Sequence, residues 1–180
     1  MIADYKECIE KFGSKYKVKM MLAEESLYKL DKGIYSDKSY APEYQIISRK
    51  YPQAIFTLDS AFYFHKLTDV IPDKNYLMTS RGSAKIRDER VVQIFENSDI
   101  LRLGAEFFEV DGFEILIYNK ERMLLELLRN KNKLAFDYYK EVLNNYRKII
   151  DELDIRAIQD MLEHFPKNKM ITEALELEVF

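Results

Sequence analysis

The chain has a single cysteine, Cys8. That excludes an internal disulfide and a Cys-based zinc site, and it fits a reducing cytoplasm. Tryptophan is absent, and only two histidines occur, His65 and His164. None of the five glycines precedes a lysine, and none begins G-x-G-x-x-G, so both phosphate-cradling loop types are excluded. No apolar run approaches the roughly 18 residues that span a bilayer, and the N-terminus lacks the basic-then-apolar pattern of a signal peptide. A cytoplasmic protein without membrane contact is expected. The pairings that nucleic-acid enzymes need are also missing. The one acid-x-Lys, Asp4-Tyr5-Lys6, falls in a predicted helix rather than on a strand. Gly82-Ser83 resembles the turn of a nucleotidyltransferase, but Asp88 and Glu89 are adjacent and would point to opposite faces of a strand. Glu109 and Asp111 have the right spacing too far downstream. No nucleophile-elbow pattern occurs; Cys8 lies among charged neighbours on a helix and reads as an inert thiol, His65 as a packed or hydrogen-bonded helix residue, and His164 as a helix-end residue. No catalytic residue, metal site or cofactor is expected.

What is present begins between Ser14 and Ser36. Ser14 can cap a helix by accepting from the free N–H groups of its first turn. Val18, Met21, Leu22 and Glu25 share one face at helical spacing. Tyr16, Lys19, Met20 and Ala23 lie opposite, flanked by Lys15 and Lys17. An alternating pair, Leu27–Leu30 and Ile34–Ser36, surrounds Asp31-Lys32-Gly33, where Gly33 can supply the positive φ of a tight loop. A short basic helix followed by a hairpin reads as the second half of a winged helix. From Lys11 to Lys38 there are seven lysines and four acids inside a chain of net charge −3, so any DNA affinity must come from this patch.

Residues 2–12 read as a first helix closed by Gly13, and Ser39–Pro42 as the linker that ends a first module at residue 40. Beyond it, helical patterning at 43–50, strands near 54–57, 76–79 and 91–95, and a helix from Ser60 that Asp59 would cap are expected. Asp111-Gly112, between Ala105–Val110 and Phe113–Tyr118, is the strongest hairpin signal in the chain. Helices follow near 121–130, 134–150, 154–164 and 170–178. The expected fold is α+β: a winged-helix module over 1–40, then a mixed α+β domain over 41–180 with an antiparallel hairpin and C-terminal helices. The polar loop 80–90 carries Arg81, Lys85, Arg87 and Arg90 against Asp88 and Glu89. Arginine forks grip phosphate oxygens, so this loop is a candidate phosphate- or RNA-binding surface, or an ordinary charged loop. An enzyme acting on nucleic acid or nucleotides through it is the alternative to a binding protein.

Three blocks together resemble the AbiEi-type antitoxin family. SKYKVKMMLAEESLYKLDKGIYS resembles its recognition helix and wing. YPQAIFTLDSAFYFHKLTDVIP resembles its Tyr-Pro, apolar strand and helix ending Leu-Thr-Asp. DGFEILIYNKERMLLELL resembles its Asp-Gly hairpin running into Glu-Arg-x-Leu-x-x-Leu-Leu. The resemblance implies the antitoxin of a bacterial type IV toxin–antitoxin (abortive infection) system. It would oppose a nucleotidyltransferase-like toxin without forming a stable complex, and its winged helix would repress the shared promoter. Carried over by position, the DNA contacts would be Lys15, Tyr16, Lys19 and Met20 on the helix, with Lys29 and Lys32 on the wing. Antitoxicity would lie after Pro42, with Arg81, Lys85, Arg87 and Arg90 as candidate surface. The family's preceding helix has no counterpart before residue 2. The winged helix is therefore expected to be N-terminally truncated, its core completed by the C-terminal domain or a second chain. Met20 stands where the family is often basic.

Overall fold

The computed structural model describes residues 1–179. It is α+β, with two compact units, Met1–Gln53 and Ala54–Phe180.

The first unit runs β1 (Ile2–Asp4), α1 (Tyr5–Phe12), α2 (Lys15–Ala23), β2 (Tyr28–Asp31), β3 (Ile34–Ser36) and α3 (Glu43–Lys50). Its three strands form an antiparallel sheet in the order β1-β3-β2. The continuous helix expected over 2–12 is thus a strand followed by a helix. The cause is a capping box: the Glu7 N–H donates to Asp4 Oδ1 at 2.8 Å, and the Asp4 N–H donates to Glu7 Oε2 at 2.8 Å. That pair fixes the helix start at Tyr5 and leaves Ile2–Asp4 extended, opposite Ser36–Ile34. Ala3, Cys8, Val18, Leu27 and Tyr35 form the core of this unit.

The unit extends past the boundary expected at residue 40, to Gln53. Helix α3 packs back on β1 and β3 and buries Ile46 and Ile47. Two ion pairs hold it there, Arg49 to Glu7 at 3.3 Å and Lys50 to Asp31 at 3.1 Å. Core completion was expected from the other domain or a second chain; α3 covers these strands from within the same unit.

The second unit comprises β4 (Ile55–Phe56), α4 (Leu58–Phe64), β5 (Asn75–Ser80), β6 (Val91–Glu96), α5 (Ser98–Leu101), β7 (Ala105–Val110), β8 (Phe113–Tyr118), α6 (Lys120–Arg129), α7 (Phe136–Lys148), α8 (Ile155–Glu163) and α9 (Asn168–Glu178). Its sheet is mixed, in the order β6-β5-β4-β8-β7. Strands β5 and β6 pair in parallel, as do β4 and β8, while β4–β5 and β7–β8 are antiparallel. The β7–β8 hairpin turns on Asp111 and Gly112, both at positive φ (50° and 76°), the two-residue geometry that suits the strand twist. Helix α6 is the centre of the unit: every residue from Arg122 to Leu128 is buried, and α4, α7, α8 and α9 all pack on it. One boundary differs in kind. Thr57, not Asp59, stands at the N-cap of α4, because the helix begins at Leu58; Asp59 lies in the first turn with its carboxyl turned inward.

Candidate functional site

Helix α2 starts where Ser14 Oγ accepts from the Lys17 N–H at 3.2 Å. Its buried side is Val18, fully enclosed, with Met21 and Leu22 half-buried beside it. That rotation leaves Lys15, Tyr16, Lys17, Lys19 and Met20 outside, with Tyr16 71% and Met20 41% exposed. Across the hairpin, Lys29 and Lys32 are exposed as well. All six sequence-predicted DNA-contact residues are therefore on the surface of one unit. Among the described residues, Lys15, Lys17, Lys19, Lys29 and Lys32 have no ion-pair partner. By contrast, Lys50 is already engaged by Asp31. Unpaired, solvated ammonium groups on a helix and its neighbouring hairpin can meet phosphates without first breaking a protein contact. Glu24 and Glu25, past the end of α2, are exposed too and lower the local field.

The basic loop of the second unit is the crossover between the parallel strands β5 and β6. Gln93 on β6 pins it: its Oε1 accepts from the Ile86 N–H at 2.7 Å, and its Nε2 donates to the Ala84 carbonyl at 3.1 Å and to Thr79 Oγ1 at 2.8 Å. Arg81, Lys85 and Arg87 are exposed, while Arg90 is not available. Its guanidinium closes on the carboxylate of Asp88, Nε to Oδ1 at 2.8 Å and Nη2 to Oδ2 at 2.7 Å. The expected quartet is thus a trio of outward cations beside a self-neutralised pair.

Sequence reasoning overlooked the charges that matter most to the fold of this unit. Arg122 is 0% exposed, and Glu96 and Glu126 are 1% exposed. Arg122 donates through Nε and Nη2 to Glu126 Oε1 at 3.2 and 3.0 Å, and through Nη1 to the carbonyls of Ile100 (2.8 Å) and Leu103 (3.2 Å). Glu96 lies 3.7 Å from Arg122 and accepts a short hydrogen bond from Arg129. The ring of Phe165 lies under both guanidinium groups. Burial pushes the Glu96 carboxyl up, but the Arg129 hydrogen bond, the Asn97 N–H and the two arginine charges outweigh it and hold the carboxyl below its ordinary value. Gly104, at φ +73°, lets the chain pass against this cluster, since a Cβ there would sit 2.5 Å from Arg122 Cβ. The signal was present in part: an arginine four residues before a glutamate on an otherwise apolar helix.

His65 caps the end of α4 and is buried, with Nε2 2.6 Å from the Tyr118 carbonyl. Only a donor can face a carbonyl, so the proton is on Nε2; Nδ1 has no partner. Burial pulls the imidazole below its ordinary value of 6.5. The thiol of Cys8 is fully buried, and burial pushes it up. Neither is set up as a base or nucleophile. Among the described residues, no group of three or more His, Cys, Asp or Glu converges to hold a metal, and no helix is long and apolar enough to cross a membrane.

Compared with known proteins, the chain matches no protein-family model and no curated protein.

Proposed function

We propose that this protein is an antitoxin of the AbiEi type, opposing a nucleotidyltransferase-like toxin, and that its first unit is a winged helix that holds promoter DNA. The antitoxic role rests on the three sequence blocks that resemble the family. The observation that carries the DNA role is the set of solvated, unpaired lysines Lys15, Lys19, Lys29 and Lys32, distributed over α2 and the β2–β3 hairpin of one unit. The β1-β3-β2 sheet, with two helices between its first two strands, supports the winged-helix reading. In this reading α2 enters the major groove with Tyr16 and Met20 among its outward residues, and the hairpin lysines meet the flanking phosphates. Arg81, Lys85 and Arg87 then form the candidate antitoxic surface on a loop that Gln93 holds in place.

The test separates the two units. Changing Lys15, Lys19, Lys29 and Lys32 together to Ala removes about four phosphate contacts, each worth roughly 0.9 in the log–log dependence of affinity on salt. A promoter gel shift at two salt concentrations should therefore lose both affinity and most of its salt sensitivity. Rescue of cells that express the neighbouring toxin gene should survive those four changes and weaken when Arg81, Lys85 and Arg87 become Ala. Unchanged promoter binding by the lysine variant would end the DNA reading. Absence of rescue by the unmodified protein would end the antitoxin reading.

A further inference from the structure

The two sheets end in four outer strands, β1 and β2 in the first unit, β6 and β7 in the second. An outer strand offers unpaired N–H and C=O groups to any passing chain, and proteins blunt such edges with short strands, bulges, lysines or cover. Three of these strands follow that rule. Strand β1 has only three residues and packs against α3. Strand β2 carries Lys29 and a register shift between Lys29 and Asp31. Strand β6 has the 84–86 segment tied to it by Gln93. Strand β7 has none of these devices. Its six residues, Ala105–Val110, pair with β8 in unbroken register and include no lysine, arginine or proline. In a two-residue hairpin the pair beside the loop is the hydrogen-bonded one, so the alternation of the ladder turns the amides of Phe107 and Glu109 to the open side.

The side chains say what fits. Phe107 stays 69% exposed, and Leu116, directly opposite it on β8, is only half-buried. Between Leu103 and Asn119 there are four acids, Glu106, Glu109, Asp111 and Glu114, and no base. All of them are exposed, and none has an ion-pair partner among the described residues. Glu109 and Glu114 face each other across the hairpin, a like-charge pair that weakens the sheet until a cation answers it. A second copy of β7 would bring further acids and no base to this edge. A strand entering antiparallel to β7 meets Glu109, Phe108, Phe107 and Glu106 in turn, with Glu109 and Phe107 on one face and Glu106 on the other. The complementary order is a basic residue, any residue, an apolar residue and a second basic residue.

We infer that β7 accepts an extended, lysine- or arginine-bearing segment of a partner protein as a further strand of the larger sheet, its basic-x-apolar-basic order read by Glu109, Phe107 and Glu106. This edge is separate from the DNA and antitoxin roles and does not depend on them.

Three capped peptides of one length decide it: Thr-Lys-Thr-Val-Lys-Thr, the same peptide with both lysines changed to glutamate, and the first peptide N-methylated at valine. Each is titrated against the full chain while backbone amides are followed by NMR. The lysine peptide should give saturable shifts at Phe107 and Glu109 and slow the hydrogen exchange of both amides. The glutamate peptide should bind about tenfold more weakly or not at all. The N-methylated peptide should not bind, because the valine N–H is the donor that would meet the Phe107 carbonyl. Glu106→Lys combined with Glu109→Lys should invert the preference between the first two peptides. Should that variant lose its fold by circular dichroism, Glu106→Gln combined with Glu109→Gln should erase the preference instead. No saturation by the lysine peptide, binding of either control as tight as that of the lysine peptide, or an unchanged preference in the folded variant would overturn the inference. So would a dimer of the free chain in sedimentation that Phe107→Lys dissolves, since the edge would then belong to a second copy.

Discussion

The two units treat positive charge in opposite ways. In the first, five lysines around α2 and the hairpin stand in water without partners. In the second, Arg122 has been drawn into the centre of the unit and Arg129 lies at its margin, both answered by Glu96 and Glu126 and faced by an aromatic ring. A solvated cation contributes little to folding and remains available to a ligand. A buried, fully bonded one is scaffold, and removing its partner leaves an uncompensated charge in a low-dielectric interior. Net charge alone would not separate these roles; burial does.

That contrast breaks most visibly at Arg122. Replacing it with Ala leaves two buried carboxylates, Glu96 and Glu126, with Arg129 as their one arginine and takes the guanidinium from the Leu103 carbonyl, and should destabilise the second unit by about 3–5 kcal/mol, seen as a fall in melting temperature on the order of 10 °C. If Arg122→Met combined with Glu126→Leu recovers most of the loss, the cost is that of orphaned charge rather than of lost attraction. A smaller effect should follow pH at His65. Its folded value lies below 6.5, so its contribution to stability is complete above pH 6.5 and is lost as pH falls through the folded value. Chemical denaturation between about pH 7.5 and pH 5 should show this decline, and His65→Gln should flatten it; an identical slope would mean that the imidazole charges without cost. The smallest effect is expected in the first unit. Lys15, Lys19, Lys29 and Lys32 changed to Ala should each leave stability within about 0.5 kcal/mol, and a large loss by the same denaturation assay would show that these lysines are structural after all.

The hairpin over 105–118 was legible because Asp111-Gly112 is local chemistry: two residues that tolerate positive φ between alternating strands. The helices after residue 120 were legible from their period. The start of the chain was misread for an equally local reason. Ile2, Tyr5, Ile9 and Phe12 happen to keep helical spacing, and that period runs straight through the Asp4–Glu7 box that ends the strand. The extension of the first unit to Gln53 could not be read from Ser39–Pro42, because a proline-containing turn looks the same whether the next helix leaves or folds back. The lysines of α2 were found through the helical wheel, since exposure follows from period once Val18 is placed inside. The Arg122 cluster was missed because its meaning is tertiary. Glu96 comes from a strand 26 positions earlier than Arg122.

Strand β4 has one consequence for the order of assembly. Its Phe56 lies beside Ile117 of β8, in parallel, so the middle of the larger sheet cannot close until the β7–β8 hairpin has been made. Every strand and helix of the first unit, by contrast, is supplied by the first 53 residues. During synthesis the amino-terminal unit has all its pieces while β4, only two residues long, still waits for its second neighbour, β8, and contacts so far apart in sequence form slowly. The ribosome should therefore release a finished amino-terminal unit ahead of an unfinished second one, and a nascent chain stalled well before Ile117 should already protect Val18 and Leu27 from solvent.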